Sequence, residues 1–545
     1  MTANSESATP ATSDESAIAE QPTRLATRRT LWILSALVLF WAVEILILQQ
    51  LTTFPEAAIP TGRVVKDAAR RLLLNVAACT VIVCLLRGWA LRASFVIGLI
   101  ATNLLFVYAS YFGSPLSWPV LSSQWREGLA VSDHGMSLIN WNVFAIGLLA
   151  LAIKIGLANA VRRGPLPRRT NLKWASIAAT TYVALAVSLA VVHKPIRRIH
   201  MGTPEYIYGY VVAWTAEAIS FDNETLLKEA LAKAEAKSDV LTNIEQPLNL
   251  ADKVAIIQVE SLDFDAIEST VDGEPVMPFL QDLQQLSMRY SVKPFHNTGS
   301  SEADFSMLTT ATPNGRVNPF QIYGFPYDQA LPWLAKQQGY APFAFHGNTG
   351  EFFHRRKAYD QMGFEKLYFT EELKPLEVAG EWDEELLDFS AELLAKASEP
   401  TLHFVITITS HGPFNKLKES ERELYTKPSS PHEHYLNSMR YVDHALESYI
   451  DQLPEDTTVV IYGDHQSNIH GYGESETHRD HVPWLIYQKG NDLSKQQNSL
   501  ASGLALSGNL SQLDMVCYLR DRLAETPLSD DRIAAMKSNP RTTLK

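Results

Sequence analysis

V-V-I-Y-G-D-H, residues 459–465, decides how this chain is read. A run of β-branched and aromatic residues stops at Gly463, and an acid and an imidazole follow at once. A buried parallel strand ends this way, and the chemistry of an open α/β sheet sits beyond the carboxyl ends of its strands. Asp464 offers a hard oxygen and His465 a borderline nitrogen, a mix that suits Zn²⁺ or Mn²⁺. The same pair also fits an N-cap aspartate followed by a surface histidine. The rest of the chain bears on which reading holds.

Outward from this stretch, the second half alternates short apolar strands with helical segments. The strands are expected at 254–259, 341–345, 403–409, 458–462 and 483–487. That alternation predicts an α/β domain over 251–530, with a mainly parallel central sheet and helices on both faces. The strand ends carry Glu260, His346, His411, and Asp464 with His465. One further segment, H-N-T-G-S-S-E-A-D-F-S-M-L at 296–308, follows a strand-like stretch at 290–295. It places Ser300 and Ser301 at the start of a helix, where free N–H groups and the dipole favour phosphate. A plain N-cap serine is the other reading. Residues 531–545 are left as a C-terminal tail.

The first half is different. Residues 1–29 have no apolar period and read as a disordered tail. Five apolar segments follow at 31–48, 72–86, 93–112, 138–158 and 174–192, which predicts a five-helix transmembrane region over 30–195. Glu44 lies inside the first segment, either as a functional acid or near the outer interface. Lys154 lies near the end of the fourth, where it can snorkel. Residues 196–250 read as a connector, aromatic at 206–214 and helical at 224–237. The flanking Lys and Arg residues lean only weakly towards an inside N-terminus.

Composition narrows the function. At 545 residues the chain exceeds one ordinary domain. A net charge of −13 argues against a nucleic-acid binder. The three cysteines, Cys79, Cys84 and Cys517, supply neither a disulfide framework nor a cysteine metal cluster.

V-E-S at 259–261, G-S-S-E-A-D-F at 299–305, F-F-H-R at 352–355, S-H-G-P-F at 410–414, Y-G-D-H at 462–465 and S-Q-L-D at 511–514 occur in a telling order. In that order the chain resembles the lipoteichoic acid synthase-like family. These are membrane phosphoglycerol transferases of the alkaline phosphatase/sulfatase superfamily. The resemblance implies that Glu260, Asp464 and His465 bind one divalent metal, Mn²⁺ first, with Zn²⁺ or Mg²⁺ as alternatives. Ser300 matches the family nucleophile, usually a threonine, and would complete the coordination, with Ser301 left open beside it. Arg355 and His411 match headgroup-binding residues, and His411 is placed to protonate a leaving oxygen. Phe353 stands where the family often has tryptophan. His346, His478 and His481 are lesser candidates, and His481 could serve a second metal.

The implied donor is phosphatidylglycerol, and the implied acceptor a glycan or polymer. The transferred unit is glycerol phosphate, carried on a phosphoseryl intermediate. Donor and acceptor chemistry lie outside the cytoplasm. The expected location is therefore the bacterial cytoplasmic membrane, multi-pass, with an extracytoplasmic catalytic domain. A phosphoethanolamine transferase or a phosphodiesterase would use the same scaffold. A sulfatase would need a C/S-x-P-x-R context, which is missing near Ser300. A catalytically dead binding module would have no need of Glu260, Ser300, Asp464 and His465 together.

Overall fold

The computed structural model describes residues 14–53, 61–112, 115–123, 125, 139–161, 168–192, 204–220, 223–234, 248–296, 299–313, 315, 317–467, 469, 481–494 and 510–525. The chain divides into two compact units. One holds residues 1–118 and 139–219, the other residues 119–138 and 220–545.

The first unit is helical. Among the described residues, four helical stretches are long and apolar enough to cross a membrane: Arg28–Thr52, Val64–Leu85, Trp89–Ser110 and Trp141–Val161. The fifth expected span falls within the helix Arg168–Val192 and is not among the four. The first helix begins at Asp14, inside the stretch expected to be a disordered tail. Ala17, Ala19, Glu20 and Gln21 favour helix by propensity even without an apolar stripe. The connector forms helices Pro204–Tyr208, Tyr210–Ser220 and Asn223–Ala234.

Lys154 corrects the snorkelling expectation. Its ammonium is buried and donates to both carboxylate oxygens of Glu44, at 2.8 and 2.6 Å. The ammonium also stands 5.7 Å from the Trp41 ring centroid and 5.8 Å from that of Phe95. Each charge answers the other's desolvation. Breaking such a pair from one side leaves a bare buried charge, at about 3–5 kcal/mol. Glu44→Gln or Lys154→Met alone should lower the melting temperature in detergent more than the two changes together. A double variant less stable than both singles would contradict the pairing.

The second unit is built on an eight-stranded sheet. Its strands are β1 (Lys253–Val259), β4 (Met288–Lys293), β5 (Ala341–His346), β6 (Lys366–Tyr368), β7 (Thr401–Ile406), β8 (Thr458–Gly463), β9 (Val482–Gln488) and β10 (Leu510–Ser511). The order is β10-β4-β9-β8-β1-β7-β5-β6. A separate two-stranded ribbon joins β2 (Thr270–Val271) to β3 (Glu274–Pro275). All pairings in the large sheet are parallel except the two made by β9, with β8 and β4.

Both faces of the central strands are covered. On β1, Val254 and Ile256 join one core cluster, while Ala255, Ile257 and Val259 join the other. That alternation is the period of two expected of a strand sandwiched between helix layers. Each large aliphatic side chain so buried contributes about 1.5–3 kcal/mol. Register then sets the site. Gln258 pairs with Tyr462 and Val259 with Gly463, so the next residues, Glu260 and Asp464, leave the sheet side by side.

Candidate active site

Two strand ends and one helix start converge. Glu260 follows β1, Asp464 and His465 follow β8, and Ser300 precedes the helix Ser301–Thr309. Close approach of the loops depends on Gly463, where an added Cβ would lie 2.2 Å from the Leu262 carbonyl oxygen. The loop after β1 is thereby free to press in, and Ser261 N donates to Asp464 Oδ1 at 2.8 Å. Ser261 itself holds a left-handed φ of 58°, a strained conformation of the kind that collects at functional sites.

Ligand atoms of Glu260, Asp464 and His465 all lie within 4.8 Å of one another, and all three residues are buried. Ser300 Oγ donates to Glu260 Oε2 at 3.3 Å and stands 3.4 Å from His465 Nε2. His465 Nδ1 donates to the Gln466 carbonyl at 2.6 Å, which turns Nε2 towards Glu260 Oε1, 3.1 Å away. A backbone carbonyl on Nδ1 is the usual device for orienting a metal-binding imidazole. Asp464 Oδ2 is buried without a hydrogen-bond partner. An orphaned buried carboxylate oxygen beside an oriented imidazole and a second carboxylate fits a divalent cation.

Electrostatics agree. Burial pushes the Asp464 carboxyl up, with the charge of Glu260 adding to it. Burial opposes ionisation of Glu260 too, but His411 and His465 outweigh it and hold that carboxyl well below its usual range. For His465 burial is again opposed, here by Asp464 and Glu260, and the imidazole is held up at about 9. Two carboxylates in a dry pocket thus demand positive charge.

The other expected residues sit around this centre. Phe353 packs on Gly299, whose φ is +131° and whose added Cβ would meet Phe353 Cζ at 2.9 Å. The Arg355 guanidinium lies 5.2 Å from the centroid of the Phe353 ring and pairs through Nε with Asp304 Oδ2 at 2.8 Å. His346 is buried between Arg355 Nη1, at 3.5 Å, and the Ile406 carbonyl, at 3.2 Å. Burial, then the charge of Arg355, pushes its imidazole down to about 3. His411 Nδ1 donates to the Gly412 carbonyl at 2.8 Å. Its loop reaches Glu260 through Ser410 Oγ, which donates to the Glu260 carbonyl at 2.6 Å. The antiparallel pairing of Tyr462 with Trp484 carries His481 to the same sheet edge. His478 lies outside the described residues. Of the two serines, Ser300 Oγ touches the cluster, whereas Ser301 Oγ is buried without a partner.

Sequence reasoning missed several neighbours. The His296 ring stacks on His465, with centroids 3.8 Å apart. It opens the quoted 296–308 segment, yet nothing local marked it. Asp304 holds Arg355 through its Nε, and Tyr359 donates its hydroxyl to the same Asp304 oxygen. Asp383 accepts from Ile408 N at 2.7 Å and from Thr409 N at 3.1 Å, so it pins the loop that carries His411.

Burial pushes the Asp383 carboxyl up to about 6, against those backbone bonds. Its folded pKa exceeds the unfolded value of about 3.9, so the buried group prefers to be neutral. Its contribution to stability is full below about pH 4 and is lost as pH rises towards 6. Asp383→Asn should therefore gain stability relative to wild type as pH rises from 4 to 7. Melting curves across that range check this, and the opposite trend would contradict it.

Comparison with known proteins fits this architecture. Residues 253–513 match the model of the Sulfatase family. Lipoteichoic acid synthase from Staphylococcus saprophyticus is 29% identical over 310 residues, covering 50% of this chain and 47% of that protein. Lipoteichoic acid synthase 2 from Bacillus subtilis is 24% identical over 408 residues, covering 68% of this chain and 60% of that protein. The chain thus spans about half to three fifths of the length of these relatives. One solved structure extends the likeness to the membrane helices. It is the integral membrane protein lipooligosaccharide phosphoethanolamine transferase A from Neisseria meningitidis. Its TM-score is 0.52 at 14% identity, over 90% of this chain and 95% of that one. Within the second unit, residues 253–513 are therefore similar to the Sulfatase family. The chain is thus similar to lipoteichoic acid synthases over half to two thirds of its own length.

Proposed function

We propose that this chain is a membrane-bound, metal-dependent phosphoglycerol transferase. It moves glycerol phosphate from phosphatidylglycerol to an extracytoplasmic glycan or polymer, through a phosphoseryl intermediate on Ser300. One observation carries the reading: the Ser300 hydroxyl lies against Glu260 and His465, beside the buried Oδ2 of Asp464, which accepts no hydrogen bond and stands 3.5 Å from His465 Nε2. The similarity to lipoteichoic acid synthases and the apolar helices support it.

Glu260, Asp464, His465 and Ser300 Oγ would hold one divalent cation, Mn²⁺ in the first instance, with Zn²⁺ or Mg²⁺ as alternatives. When bound, it supplies positive charge that eases deprotonation of the serine and offsets charge in the transition state. Ser300 Oγ, its proton given up to solvent and recovered from solvent when the serine is freed, attacks the phosphorus and the bond to diacylglycerol breaks. Arg355 shares the charge on the equatorial oxygens. His411, with Nδ1 committed to the Gly412 carbonyl, gives its Nε2 proton to the departing diacylglycerol oxygen. An acceptor hydroxyl then attacks phosphoserine, returns a proton to His411 Nε2, and frees Ser300. The membrane helices keep this site at its lipid donor, with the second unit outside the cytoplasm.

The test is diacylglycerol release from liposomes containing the full chain and Mn²⁺. Release from phosphatidylglycerol is expected. Release from phosphatidylethanolamine alone would overturn the donor and favour phosphoethanolamine transfer.

A further inference from the structure

We propose that Asp304 and Tyr359 are positioning residues that fix which edge of Arg355 meets the anionic phosphoester; this rests on the phosphoryl-transfer reading above. Asp304 stands one turn beyond Ser300, on the helix Ser301–Thr309, every residue of which is buried. Nucleophile and carboxylate therefore share one rigid element. Asp304 Oδ2 accepts from Arg355 Nε at 2.8 Å and from Tyr359 Oη at 2.6 Å. The exposures of Asp304, Arg355 and Tyr359 are 0%, 2% and 1%. Asp304 Oδ1 is buried without a hydrogen-bond partner, so its two Oδ2 bonds orient the carboxylate.

Only Nε of the guanidinium engages Asp304, which leaves both terminal nitrogens off the carboxylate. Nη1 stands at the long distance of 3.5 Å from His346 Nε2, and the Phe353 ring lies against the guanidinium plane. That same ring packs on Gly299, the residue before the nucleophile. The guanidinium is thus framed by Asp304, His346 and Phe353, and its terminal edge is left for an anion. A pair of phosphate oxygens matches that fork in planarity and spacing. A carboxylate bound to both terminal nitrogens would have consumed the fork, so the pairing through Nε is what keeps it available. Removing the Asp304 charge leaves a buried, uncompensated cation free to turn. Removing the Tyr359 hydroxyl takes away one of the two bonds that hold the carboxylate.

The experiment is calorimetric titration of glycerol 3-phosphate into the full-length, Mn²⁺-loaded protein. It compares wild type, Asp304→Asn, Tyr359→Phe, Arg355→Ala, and each of the first two combined with Arg355→Ala. The single changes should weaken binding by about 10-fold or more for Asp304→Asn, and by about 3- to 10-fold for Tyr359→Phe. In the Arg355→Ala background neither should weaken it further, because both act through that side chain. Unchanged affinity in both singles, or losses that multiply in the doubles, would overturn the inference. Should Asp304→Asn fail to fold, Tyr359→Phe, which keeps the ring and removes only the hydroxyl, carries the same cycle. A wild type that binds glycerol 3-phosphate but releases no diacylglycerol from phosphatidylglycerol would sink the transferase reading and leave the clamp standing. A wild type that does not bind it would overturn the clamp.

Discussion

Ser300→Ala is expected to lower diacylglycerol release from phosphatidylglycerol by at least about 1000-fold, the usual result of deleting a covalent nucleophile. The loss should fall on kcat, because the hydroxyl forms its new bond only during reaction. Three controls sharpen the result. Ser300→Thr keeps an alcohol at the same position and should retain measurable turnover. Ser301→Ala removes an oxygen that makes no hydrogen bond and should be mild. Mn²⁺ should still bind Ser300→Ala, because the two carboxylates and the imidazole remain. A Ser300→Ala protein that turns over normally would exclude the covalent route.

Asp464→Asn should have an effect of similar size by a different path. Its Oδ1 accepts from Ser261 N and His465 N, both at 2.8 Å, while Oδ2 is left for a cation. An amide can keep the first role but replaces a charged ligand by a neutral one. Metal affinity should drop by at least about 10- to 100-fold, and turnover with it. The pH dependence has a definite sign. In the metal-free protein the neighbouring carboxylates hold the His465 imidazole up at about 9, against its burial. A metal ligand must be neutral, so binding near pH 7 displaces that proton. Apparent Mn²⁺ affinity should therefore rise with pH until about 9 and then level off. Isothermal titration in two buffers of different ionisation enthalpy reads the released proton directly. Affinity that falls over pH 6–9 would contradict this arrangement of the site.

The strand ends were legible because burial on both faces demands uninterrupted apolar runs. V-V-I-Y before Gly463 and A-I-I-Q-V before Glu260 are such runs, and the titratable residues follow them directly. Strand direction was not legible. P-W-L-I-Y on β9 is buried on both faces like its parallel neighbours, so the pattern is the same whichever way it runs. Contacts distant in sequence were equally silent. Glu44 and Lys154 are 110 residues apart, and each alone reads as an isolated charge in an apolar segment. Asp383 opens a helix with Glu384 and Glu385 and reads as an ordinary acidic first turn, yet it holds the His411 loop. Asp304 was visible in S-E-A-D-F, four residues after Ser300. Its partner Arg355 lies 51 residues further on, and only the fold joins them.

The measurement that tests the central claim most directly is peptide mass spectrometry of the full chain after incubation with phosphatidylglycerol and Mn²⁺ and an acid quench. A glycerol-phosphate adduct on Ser300, lost in Ser300→Ala, is the predicted result. An adduct on Ser301 alone, or steady diacylglycerol release with Ser300 unmodified at every quench time, would contradict it.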